Sequence, residues 1–151
     1  MILLHHHKQE RGFTLTELII VLFLISLLGF ILYPGFQGVL HREQGKQFVG
    51  KFSLDMHEAS MEAVARRCRV DVKLDKEKGW YGVYPWLKSS LATGQIPGGL
   101  ILDHNFSSGG FYFNTLGHIS RAGSIYLFYP NGKMKRIILY MDGGVLVIQD
   151  G

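Results

Sequence analysis

The chain has 151 residues, with 16 basic and 12 acidic side chains and a formal net charge of +4. This length allows one modest domain and a membrane segment, and the weak positive charge permits an acidic partner without requiring one. Cys68 is the only cysteine, which excludes an intramolecular disulfide.

The N-terminal part joins a short basic end to a long apolar run. Residues 13–36 read FTLTELIIVLFLISLLGFILYPGF, in which Glu17 is the only charged residue. A run of this kind is long enough to span a membrane, but a carboxylate at that depth is costly unless it has a partner. A secretory signal peptide is an alternative, although no small-x-small cleavage site follows the run. A plain signal anchor is another, although it gives no reason for Glu17.

The segment RGFTLTELIIVL, residues 11–22, resembles the N-terminal methylation signal of type IV pilins and type II secretion pseudopilins. The resemblance implies that a prepilin peptidase cuts between Gly12 and Phe13 and that the new amine of Phe13 is methylated. It assigns Glu17 to subunit assembly and Pro34 to a helix kink. Residues 1–12 are then a cleaved leader, and residues 13–36 are a transmembrane and filament-core helix.

The following residues predict an amphipathic helix over 37–68. Five apolar side chains spaced 4, 4, 3 and 4 residues apart lie on one helical face, and they are Phe48, Phe52, Met56, Ala59 and Ala63. Charged residues such as Lys51 and Asp55 are assigned to the other faces. We expect this helix to pack on a globular head formed by residues 37–151.

Residues 70–151 predict a β-rich region. Alternating apolar residues indicate a strand over 70–74, a second apolar run covers 80–84, and residues 85–110 are mostly loop. Three further strands, over 124–129, 135–141 and 145–148, form an antiparallel meander whose first turn contains Asn131-Gly132. The predicted fold class is therefore α+β, with a long N-terminal helix packed on an antiparallel sheet, as in pilins.

Four C-terminal segments give a second resemblance, to GspH/FimT-like minor pseudopilins. They are residues 113–117, 123–127, 136–139 and 143–146, which together form a phenylalanine, a glycine turn, a strand and a closing hairpin. Residues 70–110 match no family pattern.

The chain shows no sequence pattern typical of an enzyme. No phosphate-binding glycine loop lies between a strand and a helix, no Cys/His cluster has zinc spacing, and no serine has a nucleophile-elbow context. Asp103, His104 and His118 are read as polar loop residues. We expect no catalysis, no cofactor and no metal site.

Two basic groups are candidates for nucleic-acid contacts. Arg66, Arg67 and Arg69 end the predicted helix, where cations favourably meet the negative end of the helix dipole. The second group flanks a hairpin turn, where solvated cations are usual, and consists of Lys133, Lys135 and Arg136. DNA is retained only as an alternative partner.

The resemblances imply a minor pseudopilin, a structural or tip subunit of a type II secretion pseudopilus. The alternative is a minor pilin of a type IV or competence pilus that binds DNA. Expected partners are other pilin or pseudopilin subunits, prepilin peptidase, the inner-membrane assembly platform, membrane lipid and a secreted substrate. The expected location is the bacterial inner membrane, with a single span, the head outside the cytoplasm, and assembly into a periplasmic or surface filament.

Overall fold

A computed structural model describes residues 14–86, 89–141 and 146–150. Within these residues one helix, α1 (Leu15–Arg66), precedes eight strands. The strands are β1 (Val70–Asp75), β2 (Trp80–Pro85), β3 (Ala92–Gln95), β4 (Ile101–His104), β5 (Gly110–Phe113), β6 (Gly123–Phe128), β7 (Met134–Leu139) and β8 (Leu146–Asp150). The predicted α+β class is confirmed. The chain divides into two compact units, Met1–Gln37 and Gly38–Gly151.

The first unit contains the apolar part of α1. Its segment Leu15–Tyr33 has 19 residues, is long and apolar enough to cross a membrane, and is not buried within the protein. The sequence predicted one long helix with an apolar part over 13–36 and an amphipathic part over 37–68, and α1 accordingly continues through Pro34. A proline inside a helix removes one backbone donor, so the kink at this residue stays a prediction.

The second unit contains two antiparallel sheets of four strands each. The first sheet has the order β3-β2-β1-β5, and the second sheet has the order β4-β6-β7-β8. The predicted C-terminal meander is confirmed as β6, β7 and β8, which pair in sequence order. The sequence did not anticipate that β4 and β5, which are consecutive in the chain, belong to different sheets.

One hydrophobic core joins α1 to both sheets. The five residues of the predicted helical face are all buried, and the core also contains Tyr81 of β2, Leu127 of β6 and Ile137 of β7. The Phe52 and Tyr81 rings meet edge to face, with their centroids 4.9 Å apart. Burying a large apolar side chain typically contributes about 1.5–3 kcal/mol, so this helical face anchors the sheets.

A buried polar group lies inside this core. Asp55 is buried, although the sequence places most of the charged residues of this helix away from its apolar face. The Tyr81 hydroxyl donates to Asp55 Oδ2 at 2.5 Å, and Lys51 Nζ donates to the same oxygen at 2.6 Å. Burial, followed by the hydrogen bond to the Asp55 carboxylate, raises the pKa of Tyr81 above its ordinary value.

The turn between β6 and β7 packs closely on α1. Tyr129, which begins this turn, lies over Gly45 of α1, and a Cβ atom at Gly45 would overlap the tyrosine hydroxyl and ring. Gly50, one and a half turns further along α1, has no atom within 4 Å of the equivalent position. Glycine is therefore required by contact at position 45 and not at position 50.

Candidate functional site

The start of α1 carries a capping box formed by Thr14 and Glu17. The Thr14 backbone N–H donates to Glu17 Oε2 at 2.9 Å, and the Thr14 hydroxyl donates to the same oxygen at 3.0 Å. The Glu17 N–H in turn donates to Thr14 Oγ1 at 3.3 Å. This reciprocal arrangement satisfies backbone donors that a helix N-terminus leaves unpaired.

The capping box gives Glu17 a partner within its own chain. Thr14 was not among the predicted site residues, although Ser/Thr-x-x-Glu before an apolar run is itself a helix-start signal. Glu17 lies in the first turn of α1, where a negative charge favourably meets the positive end of the helix dipole. The carboxylate is therefore oriented before any neighbouring subunit is present.

The apolar residues after Glu17 form an exposed surface around the whole helix. Phe23, Phe30 and Leu32 are among the large side chains that this part of the chain leaves exposed. The Ser26 hydroxyl donates a hydrogen bond to the Leu22 carbonyl oxygen at 2.8 Å, so its polar group is satisfied within the helix. Apolar side chains on all sides indicate a helix that is covered by lipid or by other helices.

The proposed processing residues fall outside the described part of the chain. Gly12 and Phe13 precede the first described residue, Thr14. Nothing in the structure therefore tests their assignment to cleavage and methylation. The glycines of the predicted closing hairpin lie in residues 142–145, which are also outside the described part of the chain.

Comparison with solved structures shows the fold. The minor pseudopilin EpsH from the type 2 secretion system of Vibrio cholerae has a TM-score of 0.57 at 13% identity, over 70% of this chain and 95% of that one. The type IV minor pilin FimU of Pseudomonas aeruginosa has a TM-score of 0.57 at 13% identity, over 73% of this chain and 90% of that one. At this identity the likeness concerns the fold alone. No curated protein sequence matches.

The N-terminal segment supplies the sequence evidence. The family described as the prokaryotic N-terminal methylation motif matches residues 7–33, which include Glu17 and most of the apolar run. Residues 7–33 therefore carry the methylation motif, and the fold is similar to that of a minor pseudopilin and of a type IV minor pilin. The apolar helix of this pilin-like chain fits a membrane-anchored filament subunit.

The hairpin cations that are candidates for DNA binding lie on different faces of the second sheet. Lys135 and Arg136 are consecutive in β7, so they point to opposite faces of the second sheet. Arg136 Nε donates to Ser124 Oγ at 3.2 Å, and its guanidinium lies 5.7 Å from the Tyr126 ring centroid. Lys133 is exposed in the turn before β7. These three cations do not form one basic surface.

The arginines at the end of α1 have different structural roles. Arg66 pairs with Glu62 one turn earlier in the helix. Arg67 follows the helix in the left-handed region with φ 48°. The N–H of Arg67 donates to the Val64 carbonyl oxygen at 3.3 Å, and the Cys68 N–H donates to the Ala63 carbonyl oxygen at 3.2 Å. These bonds form a Schellman cap, in which glycine is the usual residue at the position of Arg67.

Proposed function

We propose that this chain is a minor pseudopilin, a structural or tip subunit of a type II secretion pseudopilus. The observation that carries the proposal is the methylation motif, in which Glu17 lies in the first turn of an apolar helix exposed on all sides. The fold shared with the minor pseudopilin EpsH supports the same conclusion. In this proposal prepilin peptidase cleaves between Gly12 and Phe13, and the new amine is methylated.

Assembly then requires Glu17 to gain a partner from another subunit. In the single chain its carboxylate accepts two hydrogen bonds from Thr14. When the apolar segment leaves lipid and packs among neighbouring helices, we expect this carboxylate to meet the methylated Phe13 amine of a neighbour. A buried charge without a partner is strongly unfavourable, so the pairing would set the axial register of the filament.

The location and partners follow from the same arrangement. The segment Leu15–Tyr33 would cross the inner membrane once, with the head outside the cytoplasm. Prepilin peptidase and the assembly platform would act on the membrane-anchored chain. The head would contact other minor subunits and, at a filament tip, a secreted substrate.

A minor pilin of a type IV or competence pilus is the second candidate. Its support is the likeness to the type IV minor pilin FimU, whose TM-score equals that of EpsH. DNA binding through the hairpin cations has less support, because Lys135 and Arg136 point to opposite faces of the second sheet.

Crosslinking of the full chain in its native host tests the proposal. Wild type, Glu17→Ala and Ser26→Ala are compared, the last being a matched loss of a polar side chain in the same apolar segment. We expect wild type and Ser26→Ala to crosslink to pseudopilins and to restore protein secretion in a deletion strain. Glu17→Ala should stay in the membrane but lose the crosslinks.

The identity of the captured subunits separates the candidates. Crosslinks to pilus subunits, with loss of pilus function or DNA uptake on deletion, would favour the second candidate. A chain that crosslinks to no pilin-like subunit would contradict both. Wild-type crosslinking by Glu17→Ala would overturn the charge-pairing mechanism alone.

A further inference from the structure

An open cavity lies on the face of the first sheet that points away from α1. Its volume is about 360 Å³, and it is lined by residues of β1, β5 and the loops on either side of β5. Its polar and charged lining includes Arg69, Asp71, Lys73, Ser108, Tyr112 and Arg121. The whole cavity belongs to the second compact unit.

Three cations at this cavity are held in place by neighbouring groups. The Arg69 guanidinium lies 3.8 Å from the Tyr112 ring centroid and donates to Asp71 Oδ1 at 2.5 and 2.8 Å. Arg121 Nη1 donates to Ser107 Oγ at 2.5 Å. Lys73 Nζ lies 5.3 Å from the centroid of the Tyr84 ring. These contacts orient the cations, which lowers the entropy lost when a ligand binds.

The cations at the cavity exceed the carboxylates. The lining contains three cations, namely Arg69, Lys73 and Arg121, and one carboxylate, Asp71. The lining residues therefore carry an excess of two positive charges. Asp71 is already bonded to Arg69, and in the described part of the chain neither Lys73 nor Arg121 takes part in an ion pair. Asp75 is the next residue on this face of β1, and its Oδ1 accepts hydrogen bonds from the backbone N–H groups of Glu77 and Lys78.

We propose that this cavity binds a phosphate dianion, either free or as a phosphate monoester. A phosphate monoester carries about −1.5 to −2 charges at neutral pH, which matches the excess of two, whereas one carboxylate would balance half of it. The two guanidinium groups supply planar pairs of donors suited to phosphate oxygens, and Lys73 supplies a point charge. The volume lies within the range of small-molecule sites, which leaves room for a small group attached to the phosphate.

Calorimetric titration of the full chain in detergent tests this site. The probes are inorganic phosphate and O-phosphoserine, in chloride buffer of constant ionic strength. We expect Lys73→Gln and Arg121→Gln to weaken binding of both probes by roughly tenfold or more, since a hydrogen bond to a charged group is lost. Lys133→Gln, which removes an equal charge from the β6–β7 turn, should bind like wild type.

Two results of this titration would overturn the proposal. One is equal binding by wild type and the two cavity variants, which includes the absence of binding by all of them. The other is preferential binding of a single-stranded oligonucleotide without terminal phosphates, because its phosphodiesters carry one charge each and indicate a nucleic-acid surface. Binding of inorganic phosphate alone would assign the site to the free ion, and binding of both probes would assign it to monoesters as well.

A second measurement uses only the wild-type chain, so it does not depend on the folding of a variant. Lysine acetylation is followed by mass spectrometry with and without phosphate. We expect phosphate to slow acetylation of Lys73 and leave that of Lys133 unchanged, and unchanged acetylation of Lys73 would contradict the site. The cavity lies outside the apolar segment, so its variants should still be processed and assembled, which separates this proposal from the proposed function.

Discussion

The Tyr81 hydroxyl donates a 2.5 Å hydrogen bond to Asp55 Oδ2 and so connects α1 to an interior strand of the first sheet. Both residues are buried, and the Phe48 and Phe52 rings pack edge to face against Tyr81. A hydrogen bond enclosed by aromatic rings is shielded from water, which makes it electrostatically stronger than one in water. It holds the helix and the sheet in one register.

This bond predicts how the stability of the head depends on alkaline pH. The pKa of Tyr81 is raised in the folded chain, whereas an unfolded tyrosine titrates near pH ~10. The stabilisation is therefore fully present below about pH 10 and is lost as the pH rises above that value. We expect the free energy of unfolding to fall there, measured by denaturant titration of the full chain in detergent.

Tyr81→Phe identifies the source of this pH dependence. The variant should lose about 1–3 kcal/mol at neutral pH, because Asp55 loses a hydrogen-bond donor, and its stability should fall less steeply above pH 10. Tyr140→Phe is the control, since Tyr140 is exposed and should reproduce the wild-type profile. An unchanged alkaline slope in Tyr81→Phe would show that other groups cause the loss.

The contact between Tyr129 and Gly45 predicts opposite effects for two glycine substitutions in α1. Gly45→Ala places a methyl group into the Tyr129 ring and should destabilise the head by about 1–3 kcal/mol. Gly50→Ala meets no atom and should stabilise the chain by about 0.5–1 kcal/mol through helix propensity. Unfolding midpoints measure both changes, and similar shifts in the two variants would contradict the packing of the β6–β7 turn.

The cap at the end of α1 predicts a second pair of opposite effects. Arg67 has a positive φ angle, which is unfavourable for a residue with a side chain, so Arg67→Gly should stabilise the head by roughly 1 kcal/mol. Arg66→Gly makes the same change at the last residue of α1, where it lowers helix propensity and removes the ion pair with Glu62, and should destabilise the head. The thermal midpoints of the two variants should move in opposite directions. A loss of stability in Arg67→Gly would mean that its side chain makes a stabilising contact.

The capping box predicts local order at the start of the apolar segment. Thr14→Val keeps the shape of the side chain but removes the hydroxyl that bonds Glu17. The first turn should open more often, because an N-cap typically stabilises a helix by about 0.5–2 kcal/mol. Amide hydrogen exchange in micelles should accelerate at Glu17, while Thr14→Ser should exchange like wild type. Equal exchange in both variants would indicate that the hydroxyl does not cap the helix.

The sequence predicts the parts of the fold that depend on periodicity. The spacing from Phe48 to Ala63 identifies the buried helical face, and the alternation from Val70 to Leu74 identifies β1. These predictions succeed because the direction in which each side chain points follows from the repeat of its own helix or strand. The α+β class and the C-terminal meander follow in the same way.

The remaining features depend on contacts between residues that are far apart in the chain. The burial of Asp55 depends on Tyr81, which lies 26 residues later in the chain and donates a hydrogen bond to it. The cavity on the first sheet likewise requires β5 to pair with β1, which places Arg121 near Lys73. No periodic pattern encodes such pairings. The methylation motif can be recognised from the sequence because it is a short continuous segment.

The mature N-terminus tests the central claim most directly. The intact mass of the protein extracted from its native membrane should correspond to residues 13–151 with one added methyl group on Phe13. Gly12→Val should leave the precursor uncut, because the resemblance implies a small residue before the cleavage site. Persistence of the full-length wild-type chain, or a mature N-terminus at any other residue, would contradict the assignment to a processed pilin-like subunit.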